Sequence, residues 1–255
     1  MLGSMRIGFI GAGNMATALA RGLREPILVS DIDRGRAEAL ASELGGEALE
    51  SNAAVAEAAD AIVLCHKPAQ LEEVAAEIGE RARAVVSILG GVPVSAVEAA
   101  YPDRPVYRLM PSIPVEIGQG VVCYSPGRLA SQGPEAELRP LLDRLGLVVQ
   151  VPDRLIGAGT AVMSCGPAFF ALVVEALVDA GVRQGLGAEL AGRMAVETMA
   201  GTAAVLRAGG DDTRALRTRV TSPGGFTARG LAALEAGGIR AAFDDAVAAA
   251  SGADR

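Results

Sequence analysis

Short apolar runs alternate with stretches of helical spacing along the first 150 residues of the chain. The apolar runs, which predict strands, are residues 6–10, 27–30, 61–64, 84–89, 106–110, 121–124 and 147–151. Apolar positions recur with the period of a helix at residues 15–23, 34–44, 69–83 and 134–145. Strands that alternate with helices are typical of a doubly wound, mostly parallel sheet.

The pattern changes after Pro152, where strand-like runs give way to alanine-rich helical stretches. These stretches are residues 167–185, 188–208, 214–220 and 228–235. The sequence therefore predicts an α/β domain over residues 5–152 and an all-α domain over residues 153–255. Residues 1–4 are interpreted as a remnant of expression, so the first domain is taken to begin at Met5.

Residues 156–174 carry no charge and are long enough to suggest a membrane span. Ser164-Cys165-Gly166-Pro167 in the middle of the segment would break a helix, and Glu175 and Asp179 follow it. We therefore interpret the segment as a helix buried at a subunit interface. A small domain with this much apolar surface cannot cover it alone, which predicts a homodimer or a higher homo-oligomer.

A glycine fingerprint, Gly11-x-Gly13-x-x-Ala16, lies between the first predicted strand and the helix that follows it. Such a motif is weak by itself, but a second strand ends at Asp31, which is the spacing of a Rossmann-type dinucleotide site. Asp31 would accept hydrogen bonds from a ribose 2′-hydroxyl and repel a 2′-phosphate, which favours NADH. Arg34 and Arg36 could instead bind that phosphate, so NADPH stays open.

Composition excludes several other classes of function. The net charge is −7, aromatic residues make up 3% of the chain, and there is no Trp. Neither nucleic acid nor an anionic membrane is expected as a partner of such a surface. Cys65, Cys123 and Cys165 are widely spaced and form no metal-binding pattern, so we expect no metal and a reduced, cytoplasmic setting.

A second candidate site lies near the C-terminus, at Thr221-Ser222-Pro223-Gly224-Gly225-Phe226-Thr227. Proline and paired glycines predict a tight turn, and Thr227 is predicted to be the N-cap of the helix over residues 228–235. Unpaired backbone N–H groups at such a turn can hold a carboxylate or a phosphate.

These two motifs together resemble the pyrroline-5-carboxylate reductase family. The start of the chain reads Gly-Phe-Ile-Gly-x-Gly-x-Met-Ala, as that family does. The residues that fit the C-terminal signature of the family are Thr221, Ser222, Gly224, Gly225, Thr227, Gly230, Leu231, Leu234 and Glu235. The resemblance runs nearly from end to end.

The resemblance implies an NAD(P)H-dependent reductase that converts 1-pyrroline-5-carboxylate, a cyclic imine, to L-proline. It assigns coenzyme binding to Gly11, Gly13, Asn14, Met15, Ala16, Asp31, Lys67, Pro68, Met110, Pro111 and Ser112. It assigns catalysis to Thr227 and Ser222, and substrate binding to Ser164, Gly224, Gly225, Phe226 and Thr227. Ser222 and the amides after it would hold the carboxylate, and the Thr227 hydroxyl would bond the ring nitrogen. An obligate dimer of intertwined helical domains is also implied.

Several positions depart from the family. The family has hydroxyl-bearing residues where this chain has Ile113, Met163, Cys165 and Phe169, and an amide where it has Ser112. The family commonly has a small residue or threonine at the position of Phe226, and valine at the position of His66. His66 is the only histidine in the sequence, and an acid–base role for His66 is the alternative to a catalytic role for Thr227. A paralogue acting on another cyclic imino acid and a non-catalytic nucleotide-binding protein stay open. A β-hydroxyacid dehydrogenase is excluded, because that family needs a lysine in its second domain and none follows Lys67.

Overall fold

The chain forms two compact units, which divide between Cys165 and Gly166. The structure is a computed structural model that describes residues 5–210 and 212–251. The interpretation of residues 1–4 as an expression remnant lies outside the described residues.

The first unit is built on one sheet with the order β3-β2-β1-β4-β5-β6-β7-β8. Its strands are β1 Ile7–Ile10, β2 Ile27–Ser30, β3 Glu47–Ala48, β4 Ala61–Leu64, β5 Val85–Ser87, β6 Val106–Pro111, β7 Gly120–Pro126 and β8 Gly146–Gln150. Every neighbouring pair is parallel except β6 and β7. The seven predicted strands are present, and β3, with two residues, is too short to leave a pattern in the sequence.

Helices cover both faces of this sheet. They are α1 Asn14–Leu23, α2 Arg34–Leu44, α3 Asn52–Ala58, α4 Leu71–Ile78, α5 Val94–Ala100, α6 Glu135–Asp143 and α7 Ile156–Gly159. One core packs α1, α2 and α6 on one face around Phe9, and the other packs α3, α4 and α5 around Ile62. The predicted doubly wound Rossmann-type fold is confirmed.

The division between the units comes later than the change in composition after Pro152. The segment that follows β8 still packs on the first unit, because Ile156 is fully buried with Met110 and Cys123. Asp153 pairs with the buried Arg108 of β6 at 2.8 Å. The first turns of the apolar segment are thus part of the first unit's core.

The second unit consists of helices over its described residues. They are α8 Gly166–Arg183, α9 Ala188–Ala208, α10 Thr213–Arg219, α11 Phe226–Ala236 and α12 Ile239–Ala250. α8 and α9 pack against each other, with Ala191 as a buried contact residue. One helical stretch, Asp153–Arg183, has the length and apolarity of a membrane span. Its apolar 18-residue window has a mean hydropathy of 2.0, and 11% of that window is buried.

Candidate active site

The predicted coenzyme residues of the first unit meet at one edge of its sheet. Because β1, β2, β4 and β6 run parallel, their carboxyl ends share that edge. The glycine fingerprint follows β1, Asp31 follows β2, Lys67 and Pro68 follow β4, and Met110–Ser112 end β6. Ligands of open α/β sheets bind at this edge.

Gly11 has a conformation that only glycine adopts readily. Its φ is +106°, and its N–H donates to the Ser30 carbonyl of β2 at 2.8 Å. A Cβ there would lie 3.0 Å from the Cys65 carbonyl group. Gly11 is therefore required by the protein itself, as the turn between β1 and α1.

Gly13 is different, because the protein around it leaves its α-carbon open. It is the N-cap of α1 with extended backbone and no side-chain cap, and a Cβ there would meet nothing within 4 Å. Asn14 and Met15 begin the helix with outward amides, while Ala16 is buried against the sheet. An open, uncapped helix N-terminus fits the pyrophosphate of a dinucleotide.

A cavity of about 360 Å³ lies beside this loop. It is lined by Ile10, Gly11, Ser30, Asp31, Ile32, Glu50, Ser51, Asn52, His66, Gln70, Glu73, Val74 and Glu77. Four of these residues are carboxylates, and no Arg or Lys is among them. Sequence reasoning singled out Gly11, Asp31 and His66 here, whereas Glu50, Asn52, Glu73 and Glu77 belong to no motif.

Asp31 is engaged by the protein backbone. Its Oδ2 accepts the Ala12 N–H at 2.6 Å, and its Oδ1 accepts the Asp33 N–H at 2.8 Å. The carboxylate therefore ties the glycine loop to the end of β2, in addition to lining the cavity.

The two arginines that could bind a 2′-phosphate are both paired with acids. Arg34 donates to Glu38 at 2.7 Å and lies 3.8 Å from Glu50. Arg36 lies 3.4 Å from Asp33. Neither guanidinium lines the cavity.

His66 is hydrogen-bonded through one of its two ring nitrogens. Its Nδ1 donates to the Lys67 carbonyl at 2.9 Å, because a carbonyl can only accept. Nε2 is buried and has no partner among the described residues. Burial lowers the pKa of His66 below its usual value.

The loop at the end of β6 is joined to the segment before α8. The Ser164 hydroxyl donates to the Pro111 carbonyl at 3.1 Å, within a π-helical turn, Thr160–Ser164. Ser112 is buried, and its Oγ accepts the Val121 N–H at 2.9 Å. Met163 packs on the Met110 cluster. Ser164, Met110, Pro111 and Ser112 thus come together.

The second candidate site forms the start of α11 in the second unit. Gly224 has a φ of +70°, and the Gly225 N–H donates to the Ser222 carbonyl at 3.0 Å, which closes the predicted turn. The prediction of Thr227 as N-cap is wrong: Gly225 is the N-cap, without a side-chain cap, and Thr227 is the second helical residue. Gly225 takes this position because its extended backbone ends the turn two residues earlier than expected.

Exposed side chains surround this helix start. Ser222 and Thr227 are exposed, and Phe226 is 88% exposed. The Arg229 guanidinium lies 5.0 Å from the centre of the Phe226 ring. Hydroxyls and unpaired amides are therefore displayed together, which is an arrangement that can hold a carboxylate.

Metal chemistry has no candidate in the part of the chain that the structure describes. No group of three or more His, Cys, Asp or Glu side chains there is placed to hold an ion. The three cysteines are free thiols.

Two protein-family models match the chain. One described as pyrroline-5-carboxylate reductase dimerisation matches residues 153–255. One described as NADP oxidoreductase, coenzyme F420-dependent, matches residues 6–91.

Curated relatives match over nearly the full length. A pyrroline-5-carboxylate reductase of Synechocystis is 33% identical over 256 residues, 97% of this chain and 96% of its own length. One from Mycobacterium tuberculosis is 36% identical over 283 residues, 98% of this chain and 96% of its own length.

Solved structures agree. A pyrroline-5-carboxylate reductase from Coxiella burnetii has a TM-score of 0.86 at 28% identity and covers 97% of this chain and 96% of its own. The Plasmodium falciparum pyrroline carboxylate reductase with NADP bound has a TM-score of 0.86 at 25% identity, with 97% and 95% covered.

Proposed function

The chain belongs to the pyrroline-5-carboxylate reductase family, and on that premise we propose that it reduces 1-pyrroline-5-carboxylate to L-proline with a reduced nicotinamide coenzyme. The observation that carries the proposal is the similarity to named reductases over 97% of the chain. The two motifs on which the resemblance rested, at Gly11–Ala16 and Ser222–Thr227, lie within that span.

Reduction of a cyclic imine asks little acid–base chemistry of the protein. The bound coenzyme supplies the hydride, and the chain must bind both molecules and orient them. In the first unit, the amides of Asn14 and Met15 at the open start of α1 hold the pyrophosphate. Lys67, Pro68 and the Met110–Ser112 loop line the coenzyme along the same edge of the sheet.

The start of α11 holds the substrate. The Ser222 hydroxyl and the amides of Phe226 and Thr227 bind its carboxylate, with Gly224 and Gly225 shaping the turn. The Thr227 hydroxyl hydrogen-bonds the ring nitrogen and so positions the carbon–nitrogen double bond. These roles follow from the family signature, and the uncapped start of α11 supports them.

NADH is the coenzyme that we propose. The cavity beside the glycine loop has four carboxylates in its wall and no Arg or Lys. A 2′-phosphate there would be repelled, whereas a ribose 2′-hydroxyl can donate to these acceptors. The pairing of Arg34 and Arg36 with acids supports the same choice.

The working form is a homodimer, or a larger assembly of such dimers, in the cytoplasm. The second unit exposes many large apolar side chains, among them Leu172 at 64% and Met194 at 54%. Apolar surface of this extent is usually covered by a partner. A second copy is the partner that the dimerisation model supports, and free thiols suit a reducing compartment.

A paralogue acting on another cyclic imino acid is the second candidate. Phe226 favours it, because a fully exposed aromatic ring stands beside the proposed carboxylate site where relatives of this family have a small residue or threonine. A substrate ring that is larger or more apolar than that of 1-pyrroline-5-carboxylate could pack on Phe226.

Steady-state reduction of several imines with NADH separates these candidates. We expect kcat/KM to be highest for 1-pyrroline-5-carboxylate, compared with the 2-carboxylate isomer and six-membered imines. A clear preference for another imine would establish the paralogue. Coenzyme binding without turnover of any of them would support a non-catalytic nucleotide-binding protein.

A further inference from the structure

Arg34 lies beside the carboxylate-lined cavity and is held by two acids. It is the first residue of α2; its Nε donates to Glu38 Oε1 at 2.7 Å, and its Nη1 lies 3.8 Å from Oε1 of Glu50, a cavity-wall residue. Arginine binds phosphate through a planar fork that matches two oxygens at once. An unrestrained Arg34 would therefore be a suitable ligand for the 2′-phosphate that distinguishes NADPH from NADH.

We infer that Glu38 and Glu50 determine coenzyme specificity: they occupy the Arg34 guanidinium and thereby keep the cavity selective for NADH. The inference rests on the proposed coenzyme site and deepens it, because it assigns the selection to this trio of side chains. Glu50 acts twice, since its carboxylate also belongs to the wall that repels a phosphate.

Asp31 supports the glycine loop as well as lining the cavity. Both of its oxygens already accept backbone N–H groups, from Ala12 and Asp33. Its carboxylate therefore helps to shape the glycine loop, which either coenzyme needs. Replacing Asp31 should weaken the binding of both coenzymes, whereas replacing Glu38 and Glu50 should change the ratio between them.

The exposure of the trio limits the size of the effect. The side chains of Arg34, Glu38 and Glu50 are 66%, 57% and 86% exposed, so water screens each ion pair. A phosphate adds about two negative charges close to the remaining wall carboxylates. Freeing Arg34 should therefore shift the coenzyme preference by about tenfold, instead of by several orders of magnitude.

Titration calorimetry with NADH and NADPH on the full chain tests this inference. The test variants are the double variant Glu38→Gln/Glu50→Gln and the same variant with Arg34→Gln added. Glu57→Gln is a control for lost charge, because Glu57 forms an exposed pair with Arg81 away from the cavity. Arg36→Gln in the double-variant background controls for Arg34→Gln, because both arginines are 66% exposed near the start of α2.

We expect the NADPH-to-NADH ratio of dissociation constants to fall about tenfold in the double variant and to stay unchanged with Glu57→Gln. Adding Arg34→Gln should reverse most of this change and leave only the part that comes from the lost Glu50 charge, whereas adding Arg36→Gln should leave the change in place. An unchanged ratio in the double variant overturns the inference, as does a gain in NADPH affinity that Arg34→Gln does not reduce. A wild-type chain that binds NADPH but not NADH also overturns it, while binding of neither coenzyme refutes the proposed function itself.

Discussion

At the scale of single residues, the two glycines of the fingerprint serve different purposes. Gly11 is needed for the fold, because its φ is +106° and the Cys65 carbonyl group leaves no room for a side chain. Gly13 meets nothing within 4 Å, which leaves room for a molecule to approach the backbone. The two positions can therefore be separated by mutation.

Gly13→Val should abolish coenzyme binding and leave the protein folded. The added side chain projects into open space, so the cost to stability is only that of a poorer N-cap, about 1 kcal/mol. Gly11→Ala is the matched contrast, which should destabilise the fold because alanine is strained at this φ. Calorimetric titration with NADH and chemical unfolding measure both effects. Unchanged NADH affinity in Gly13→Val would show that the pyrophosphate binds elsewhere.

Thr227, rather than His66, is expected to contribute to the reaction. Thr227→Ala removes the hydroxyl that bonds the substrate nitrogen and should lower kcat/KM ten- to a thousandfold, about 1.4–4 kcal/mol of transition-state binding. His66→Val restores the residue typical of the family and should change turnover only a few-fold. Steady-state kinetics on both variants measure this, and a reversal of the two effects would assign the chemistry to His66.

His66 should instead make stability depend on pH. Burial lowers its pKa in the folded protein, whereas the unfolded chain titrates near the ordinary value of about 6.5. Below that pH the unfolded state binds more protons, so the free energy of unfolding should decrease as the solution is acidified. Urea unfolding at about pH 7.5 and 5.5 should show a larger loss for the wild type than for His66→Val. Equal losses would mean that His66 is not held neutral.

At the scale of elements, the sequence predicts those that have a clear period or a clear stop. The turn before α11 and the end of that helix at Gly237 are both predicted, because proline and glycine mark them. The start of α11 was misplaced by two residues, because a threonine resembles an N-cap whether or not the turn has already ended. Helices α3, α5 and α12 were not predicted; in α3 and α5, seven residues rich in alanine show almost no periodicity.

The ion pair between Arg108 and Asp153 should stabilise the segment that follows β8. Arg108 is 6% exposed, and Asp153 both pairs with it at 2.8 Å and accepts the Val94 N–H. Asp153→Ala leaves a buried guanidinium without its partner and should lower the free energy of unfolding by about 3 kcal/mol. Asp143→Ala, which removes the exposed pair with Arg139, should cost less than about 0.5 kcal/mol. Urea unfolding measures both, and equal costs would contradict a structural role for the buried pair.

At the scale of the whole molecule, the sequence gives the order of the layers but not the composition of the cavity. The fingerprint predicted where a dinucleotide binds, because its glycines are constrained by geometry. Glu73 and Glu77 both lie on α4, whereas Glu50 follows β3 and meets them only through the fold. Their spacing along the chain carries no signal, so the acidic lining could not be predicted.

The apolar surface of the second unit predicts association. Only 11% of the apolar 18-residue window within Asp153–Arg183 is buried, and Leu172 and Leu190 are 64% and 51% exposed. Sedimentation should give a dimer or a larger species at micromolar concentration. Leu172→Glu with Leu190→Glu should dissociate it, because carboxylates would have to be buried without partners. A stable wild-type monomer would contradict the proposed assembly.

The central claim, that the chain reduces 1-pyrroline-5-carboxylate to L-proline, is tested most directly by identifying and counting the product. Purified protein, NADH and 1-pyrroline-5-carboxylate are incubated, and chiral chromatography measures proline beside the absorbance loss of NADH. The account predicts one equivalent of L-proline for each equivalent of NADH oxidised, and little of either with Thr227→Ala. Coenzyme oxidation without L-proline, or no oxidation with NADH or NADPH, would contradict it.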